Sequence, residues 1–183
     1  MKANKNIIIG IDVGWDGAIA MYNTEKQELK VFKMPIIKED NKRKLDVNKL
    51  ISLLNAVAHN TIICGIEMQH PFPGEGVKSV FSLGLQMGTL EAILISANIP
   101  YQYINPRKWK RFFGLESKHK KYVIKKSADL VKQLFPDFEV QTPRGKYKTG
   151  EIDAILITTY TLISFIDAKM NKNLTKFLNK EEK

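Results

Sequence analysis

Residues 6–34 read NIIIGIDVGWDGAIAMYNTEKQELKVFKM, and three strand-like pieces can be cut from them: Asn6 to Asp12, Gly17 to Tyr22 and Leu29 to Met34. The first is a β-branched run that stops at a turn signal rich in glycine, and short polar turns separate the pieces. Three consecutive strands joined this tightly predict an antiparallel meander. Beyond a polar segment, Lys38 to Lys44, Asp46 can cap a helix in which Val47, Leu50, Ile51, Leu54 and Val57 recur at helical spacing. Such an apolar stripe needs a sheet to cover it. Thr61 to Glu67 (TIICGIE) is almost wholly apolar and reads as a fourth, central strand with Glu67 at its polar end.

Further along, a Pro- and Gly-rich loop from Met68 to Gly76 leads into a periodic apolar stretch, Val77 to about Ala97, expected to be the longest buried helix. Tyr101 to Asn105 gives a fifth strand. Pro106 opens a short helix, and another runs from Tyr122 to Phe135 until Pro136 stops it. After the loop Asp137 to Gly150 a last amphipathic helix is expected from about Glu151 to Ala168, carrying Ile152, Ile155, Leu156, Thr159, Ile163 and Ile166. The pattern is that of an α/β domain with a five-stranded mixed sheet flanked by helices. Residues 1–168 read as one domain, and 169–183 as a solvated, flexible basic tail.

The 183 residues are enough for one sizeable core and short for two. No uninterrupted apolar run approaches the roughly 20 residues of a membrane span, so no membrane association is expected. Cys64 is alone and cannot form an internal disulfide, and no Cys or His cluster has zinc spacing. A cytoplasmic protein is expected. Lys, Ile and Asn are abundant, as in proteins from AT-rich genomes, a bacterium's or its phage's. The net charge of +10 points to an acidic partner. Its location sharpens this: from Arg107 to Lys132 ten basic residues face two acidic ones, a net of +8. Arg107, Lys108, Lys110, Arg111, Lys120 and Lys125 are therefore candidate contacts to a nucleic-acid backbone.

Three acids sit where neither a core residue nor an ordinary surface residue is expected. Asp12 ends the first strand beside Gly14 and Gly17, Glu67 ends the fourth, and Asp153 lies at the start of the last helix. If strands one and four are parallel neighbours, their carboxyl ends lie side by side, the usual place for a site in an open sheet. Clustered carboxylates repel unless something neutralises them. No His or Arg adjoins these three in sequence, and hard oxygen donors suit Mg²⁺ or Mn²⁺. Taken singly, each acid has an ordinary reading as a turn residue, a strand-end charge or a helix N-terminal acid.

In order and spacing, the blocks IIIGIDVGWDGAIA, IEMQHPFPGEGVKSVFSLGLQMGTLEAIL, NPRKWKRFFGL, the Lys-rich stretch ending in Leu134 to Pro136, and GEIDAILITTY resemble the RuvC-type Holliday junction resolvases. The resemblance is to the branch common in phage genomes and related to the poxvirus enzymes, and it spans about Ile7 to Tyr160. DxGxxG alone also occurs in actin-like kinases, whose two lobes need roughly twice this length.

What the resemblance implies is an RNase H-like fold and an endonuclease that nicks four-way DNA junctions with two Mg²⁺ ions, replaceable by Mn²⁺, leaving 5′-phosphate and 3′-hydroxyl ends. Asp12, Glu67 and Asp153 match the family's metal-binding acids. Its usual fourth acid falls on Gly150 or Thr149, which cannot serve. Glu151 is the nearest replacement and could face the metals only if it precedes the regular helix, because two residues within a helix are about 200° apart. The resemblance also places a lysine beside the metals, here Lys118 or Lys121 with Lys125 as a further match, and an aromatic at the junction centre, here Phe72. Trp109 reads as core rather than as a base-stacking residue. Gly84 and Gly88 lie four apart on the helix that resembles the family's dimer interface, although packing on the protein's own sheet would also account for them.

Branched DNA and a second copy of the chain are thus the expected partners, with no small-molecule substrate. The rivals are a nuclease for structured RNA or RNA-DNA hybrids, and a non-catalytic junction clamp that has lost its fourth acid.

Overall fold

The computed structural model describes the backbone of residues 5–40, 42–71 and 74–181, and side chains as far as residue 168. Five strands form one sheet: β1 (Ile7–Asp12), β2 (Ala18–Asn23), β3 (Glu28–Lys33), and then, after an excursion, β6 (Thr61–Glu67) and β7 (Tyr101–Ile104). Their spatial order is β3-β2-β1-β6-β7. β1 is antiparallel to β2, and β2 to β3, while β6 is parallel to β1 and β7 is parallel to β6. The meander and the central fourth strand are as the sequence predicts, and β1 and β6 meet the condition of being parallel neighbours.

Between β3 and the first helix the chain forms a small separate hairpin, β4 (Ile36–Glu39) and β5 (Lys42–Leu45), where only a polar segment is expected. Its strands are four residues long and almost wholly exposed, so burial imposes no alternation on their sequence. Helices α1 (Val47–Asn55), α2 (Val77–Ser96), α3 (Pro106–Phe112), α4 (Lys120–Leu134) and α5 (Thr149–Glu181) complete the fold. Asp46 caps α1 as expected, its carboxylate accepting from the Lys49 amide at 3.0 Å. α5 starts two residues earlier than its sequence pattern suggests and continues past Ala168 to Glu181.

The two faces of the sheet differ in side-chain size, and that difference places the helices. Ile9, Ile11, Ile19, Met21, Cys64 and Ile66 pack under α1 and α2, with Leu50, Leu54, Leu90, Ile93 and Leu94. On the opposite face Gly65, Gly10 and Ala20 lie in one row across three strands. This shelf of small residues lets α5 lie almost on the backbone: a Cβ added to Gly10 would come within 2.4 Å of the Thr158 nitrogen, and one on Gly65 within 2.1 Å of the Thr161 hydroxyl. Ala154, Ile155 and Ile157 fill the rest with Trp109, Ala128 and Val131. Close packing of this kind tolerates no added methylene.

α2 departs from the expectation of a buried helix. Gln86, Leu90, Ile93 and Leu94 are buried, but Val77 is 84%, Phe81 71%, Leu85 63% and Ile95 59% exposed. Its apolar residues therefore serve two faces, and the sheet covers one. Val77–Ser96 and Thr149–Ala168 are also both long and apolar enough, by length and composition, to cross a membrane, although neither is an uninterrupted apolar run. In α5 that composition is explained by packing on the small-residue shelf.

Candidate active site

The parallel pairing of β1, β6 and β7 brings their carboxyl ends to one edge. Asp12 and Glu67 end β1 and β6, and Glu67 is in register with Ile104 at the end of β7. The chain leaves β7 through Asn105, whose side chain accepts from the Arg107 amide at 2.9 Å, and Pro106 begins α3 at once. α3 therefore rises beside the acids. Trp109 is fully buried, and its indole N–H donates to Glu67 Oε1 at 2.9 Å, while the Gln69 amide donates to Oε2 at 2.6 Å. Trp109 is a core residue, as its sequence context suggests, and it also fixes the orientation of a site carboxylate.

From the other side α5 delivers Asp153, one residue before Ala154, whose carbonyl lies against Gly10 in the middle of β1. The three acids interact. The Asp12 carboxyl is held well above the usual carboxylate range, first by burial, then by the charges of Glu67 and Asp153 and a side-chain hydrogen bond with Glu67; Lys110 opposes this. Asp153 is pushed up to about 7 by burial, with Glu67 adding to the rise and Lys110 again opposing it.

A raised carboxyl in the folded state means that folding takes up protons between the unfolded and the folded values. Stability from this source is present at low pH and is lost as pH rises from about 3.8 through about 7. In chelator, the thermal midpoint of the wild type should therefore fall across that window, and Asp153→Asn should flatten the fall. A wild-type midpoint that climbs from pH 4 to 7, with no change in slope in the variant, would contradict the buried, repelling cluster.

Lys110 is the lysine at the acids. With Trp109, Lys120, Thr149 and Asp153 it lines a cleft of about 270 Å³ between α3, α4 and the start of α5, and its ammonium lies 5.0 Å from the Trp109 ring centre. Lys118 and Lys121 are exposed and do not line this cleft. The sequence alone predicts Lys110 only as a backbone contact; the pointer to its position is its place directly after a buried tryptophan, on a helix that starts at the edge carrying the acids. Lys120, also a predicted backbone contact, lines the same cleft. Arg107, Lys108 and Lys125 are exposed nearby, and Arg111 is paired with Glu116 at 3.3 Å. Phe72 lies outside the described residues.

The structure does not bring Glu151 to the cluster. α5 is already helical from Thr149, so Glu151 and Asp153 point about 200° apart around its axis. Glu151 lines a different groove with Trp15 and Gly17. Gly150 is also accounted for: a Cβ there would lie 2.0 Å from the Asp16 carbonyl oxygen, so the β1–β2 turn excludes any side chain.

Among the described residues no three Asp, Glu, His or Cys side chains stand in an arrangement that encloses a metal ion. The donor chemistry nevertheless fits a hard divalent cation. Asp12, Glu67 and Asp153 offer carboxylate oxygens, and a cation's charge would relieve the burial and mutual repulsion that raise Asp12 and Asp153.

No family model and no curated protein matches the sequence. Among solved structures, the chain is similar to Thermus thermophilus RuvC in complex with Holliday junction substrate, with a TM-score of 0.55 at 16% identity over 84% of this chain and 90% of that one. A second Thermus thermophilus RuvC structure matches with a TM-score of 0.52, also at 16% identity, over 83% and 90%. The fold, a mixed five-stranded sheet flanked by helices, is therefore the RNase H-like fold that RuvC has.

Proposed function

We propose that this protein is a divalent-metal-dependent endonuclease that nicks branched DNA, chiefly four-way junctions, and works as a homodimer. The observation that carries this reading is the cluster of Asp12, Glu67 and Asp153 at the carboxyl edge of β1 and β6, faced by Lys110, on the fold of RuvC. Asp12, Glu67 and Asp153 would hold the metal, Mg²⁺ or Mn²⁺. When bound there, it supplies positive charge that favours the attacking water and the departing oxygen of a phosphodiester. Water adds to phosphorus and the bond to the 3′ oxygen breaks, which leaves a 5′-phosphate and a 3′-hydroxyl.

The chain's own residues do the rest. Trp109 and Gln69 hold the two Glu67 oxygens in fixed directions, and the Lys110 ammonium offsets the site's negative charge so that a phosphate can approach. Lys120 extends that positive wall, and Arg107, Lys108 and Lys125 contact the backbone beyond it.

A junction offers two symmetric cutting points, and α2 supplies a surface on which two copies could meet. Phe81, Leu85, Ala92 and Ile95 are exposed and follow one another with Gly88 at alternating steps of four and three. A Cβ at Gly84 or Gly88 would meet nothing within 4 Å, so packing within the subunit does not account for these glycines. Leu85→Asp should convert the dimer to a monomer in sedimentation while leaving the fold intact; an unchanged sedimentation coefficient would remove α2 from the interface.

A clamp that binds without cutting is the second reading, favoured by the turn that excludes a side chain from Gly150 and by the direction of Glu151. Matched substrates separate the readings: a four-way DNA junction, its linear duplex, and RNA-DNA hybrid and RNA junctions of the same sequence. Cutting of the DNA junction in Mg²⁺ or Mn²⁺ supports the proposal. Tight binding with no cutting in either metal makes the protein a clamp, and preference for the RNA substrates makes it a ribonuclease.

A further inference from the structure

A second groove lies on the far side of the α5 N-terminus from the Lys110 cleft. It encloses about 500 Å³ between the β1–β2 turn and the loop before α5, and four lysines line it: Lys33, Lys49, Lys146 and Lys148. They come from the end of β3, from α1 and from the loop preceding α5, so no stretch of sequence gathers them. Among the described residues none of the four has an ion-pair partner; Lys148 lies 5.3 Å from the Phe138 ring centre. Two acids share the groove. Asp16 is 3.8 Å from Arg43 of the β4–β5 hairpin, which also stacks over Trp15 at 5.4 Å, and Glu151 is the second, so the four lysines outnumber the acids two to one.

Thr149 lines both this groove and the Lys110 cleft, so the two are contiguous around the start of α5, with Asp153 on the cleft side. We infer that the groove is a second backbone track, along which the phosphates of a DNA arm run on from the cutting site. It is open and polar, its cations are exposed or half-buried lysines, and Trp15 is among its lining residues. These are the features of a surface that follows a polyanion rather than a pocket that encloses a small ligand. The inference rests on the branched-DNA reading and deepens it. DNA held only at the Arg107–Lys132 segment would approach the acids from one side; the groove gives it a seat on both.

The test is a salt titration of binding, by anisotropy in EDTA with a labelled four-way junction, for the wild type and for the variant Lys33→Gln/Lys49→Gln/Lys146→Gln. Each duplex phosphate contact contributes about −0.9 to the slope of log affinity against log salt. The triple variant should therefore lose roughly 2 to 3 from that slope, and binding at low salt should weaken by more than about tenfold. As a control, Lys5→Gln/Lys26→Gln changes two exposed lysines at the opposite end of β1 and β2 and should match the wild type. Circular dichroism melts verify that the exposed substitutions leave the fold unchanged. A triple variant with the wild-type slope and affinity overturns the groove while the junction reading stands. A wild type that binds no junction overturns both.

Discussion

Asp12→Asn is expected to slow junction cutting by at least about a thousandfold, the scale on which a preorganised polar group acts in catalysis, and to leave junction binding in EDTA or Ca²⁺ within about twofold of the wild type. The physical reason is in the site itself. Asp12 is hydrogen-bonded to Glu67, and an asparagine amide can donate to Glu67 in the same place, so the local packing survives. What the amide cannot do is serve as a charged oxygen donor for a cation. Cutting and binding should therefore separate. If binding fell together with cutting, Asp12 would be holding the fold or the DNA and its assigned role would be wrong.

Gly150 carries the second large expectation. Restoring an acid at this position is the obvious way to complete a four-acid site, yet Gly150→Asp should gain no activity, and even Gly150→Ala should cost about 3 kcal/mol or more in urea unfolding. The new Cβ would lie 2.0 Å from the Asp16 carbonyl oxygen and 3.0 Å from the Gly17 Cα, both backbone atoms. The turn cannot retreat easily, because the Gly17 amide donates to the Gly14 carbonyl at 3.1 Å and a Cβ at Gly17 would itself strike the Asp12 carbonyl. Wild-type stability in Gly150→Ala would contradict this packing.

Asp12 and Gly150 differ in how far local sequence reveals them. Asp12 and Glu67 announce themselves because each ends an apolar strand, and a strand's end is marked by a change in local pattern. The central place of the fourth strand follows from the apolar character of Thr61 to Glu67, while its parallel pairing with the first is supplied by the structure. Gly150 and Glu151 carry no such mark. Whether Glu151 faces the acids depends on one turn of helix, and whether Gly150 can carry a side chain depends on a turn more than 130 residues earlier in the chain.

The same limit applies to the lysines. A run of charge along the chain picks out Arg107 to Lys132, but which member reaches the acids is decided by where α3 starts. Pro106 sets that start, and the geometry selects Lys110 over Lys118 and Lys121. The groove of Lys33, Lys49, Lys146 and Lys148 has no signature in local composition at all. α2 misleads for a related reason: apolar periodicity marks a face as apolar, without saying that the sheet of the same domain covers it. The shelf of Gly65, Gly10 and Ala20 is visible in the sequence only as small residues in strands, and its meaning comes from the register that lines them up.

Junction cutting itself is tested most directly by mapping the cuts in a four-way DNA junction with each strand end-labelled in turn, alongside linear duplex of the same sequence, in Mg²⁺ and in EDTA. Paired nicks are predicted at symmetric positions in opposing strands, carrying 5′-phosphate and 3′-hydroxyl ends, absent from the duplex and absent in EDTA. Intact strands in Mg²⁺ and in Mn²⁺, from a protein that still binds the junction tightly, would contradict the assignment of this site as a nuclease.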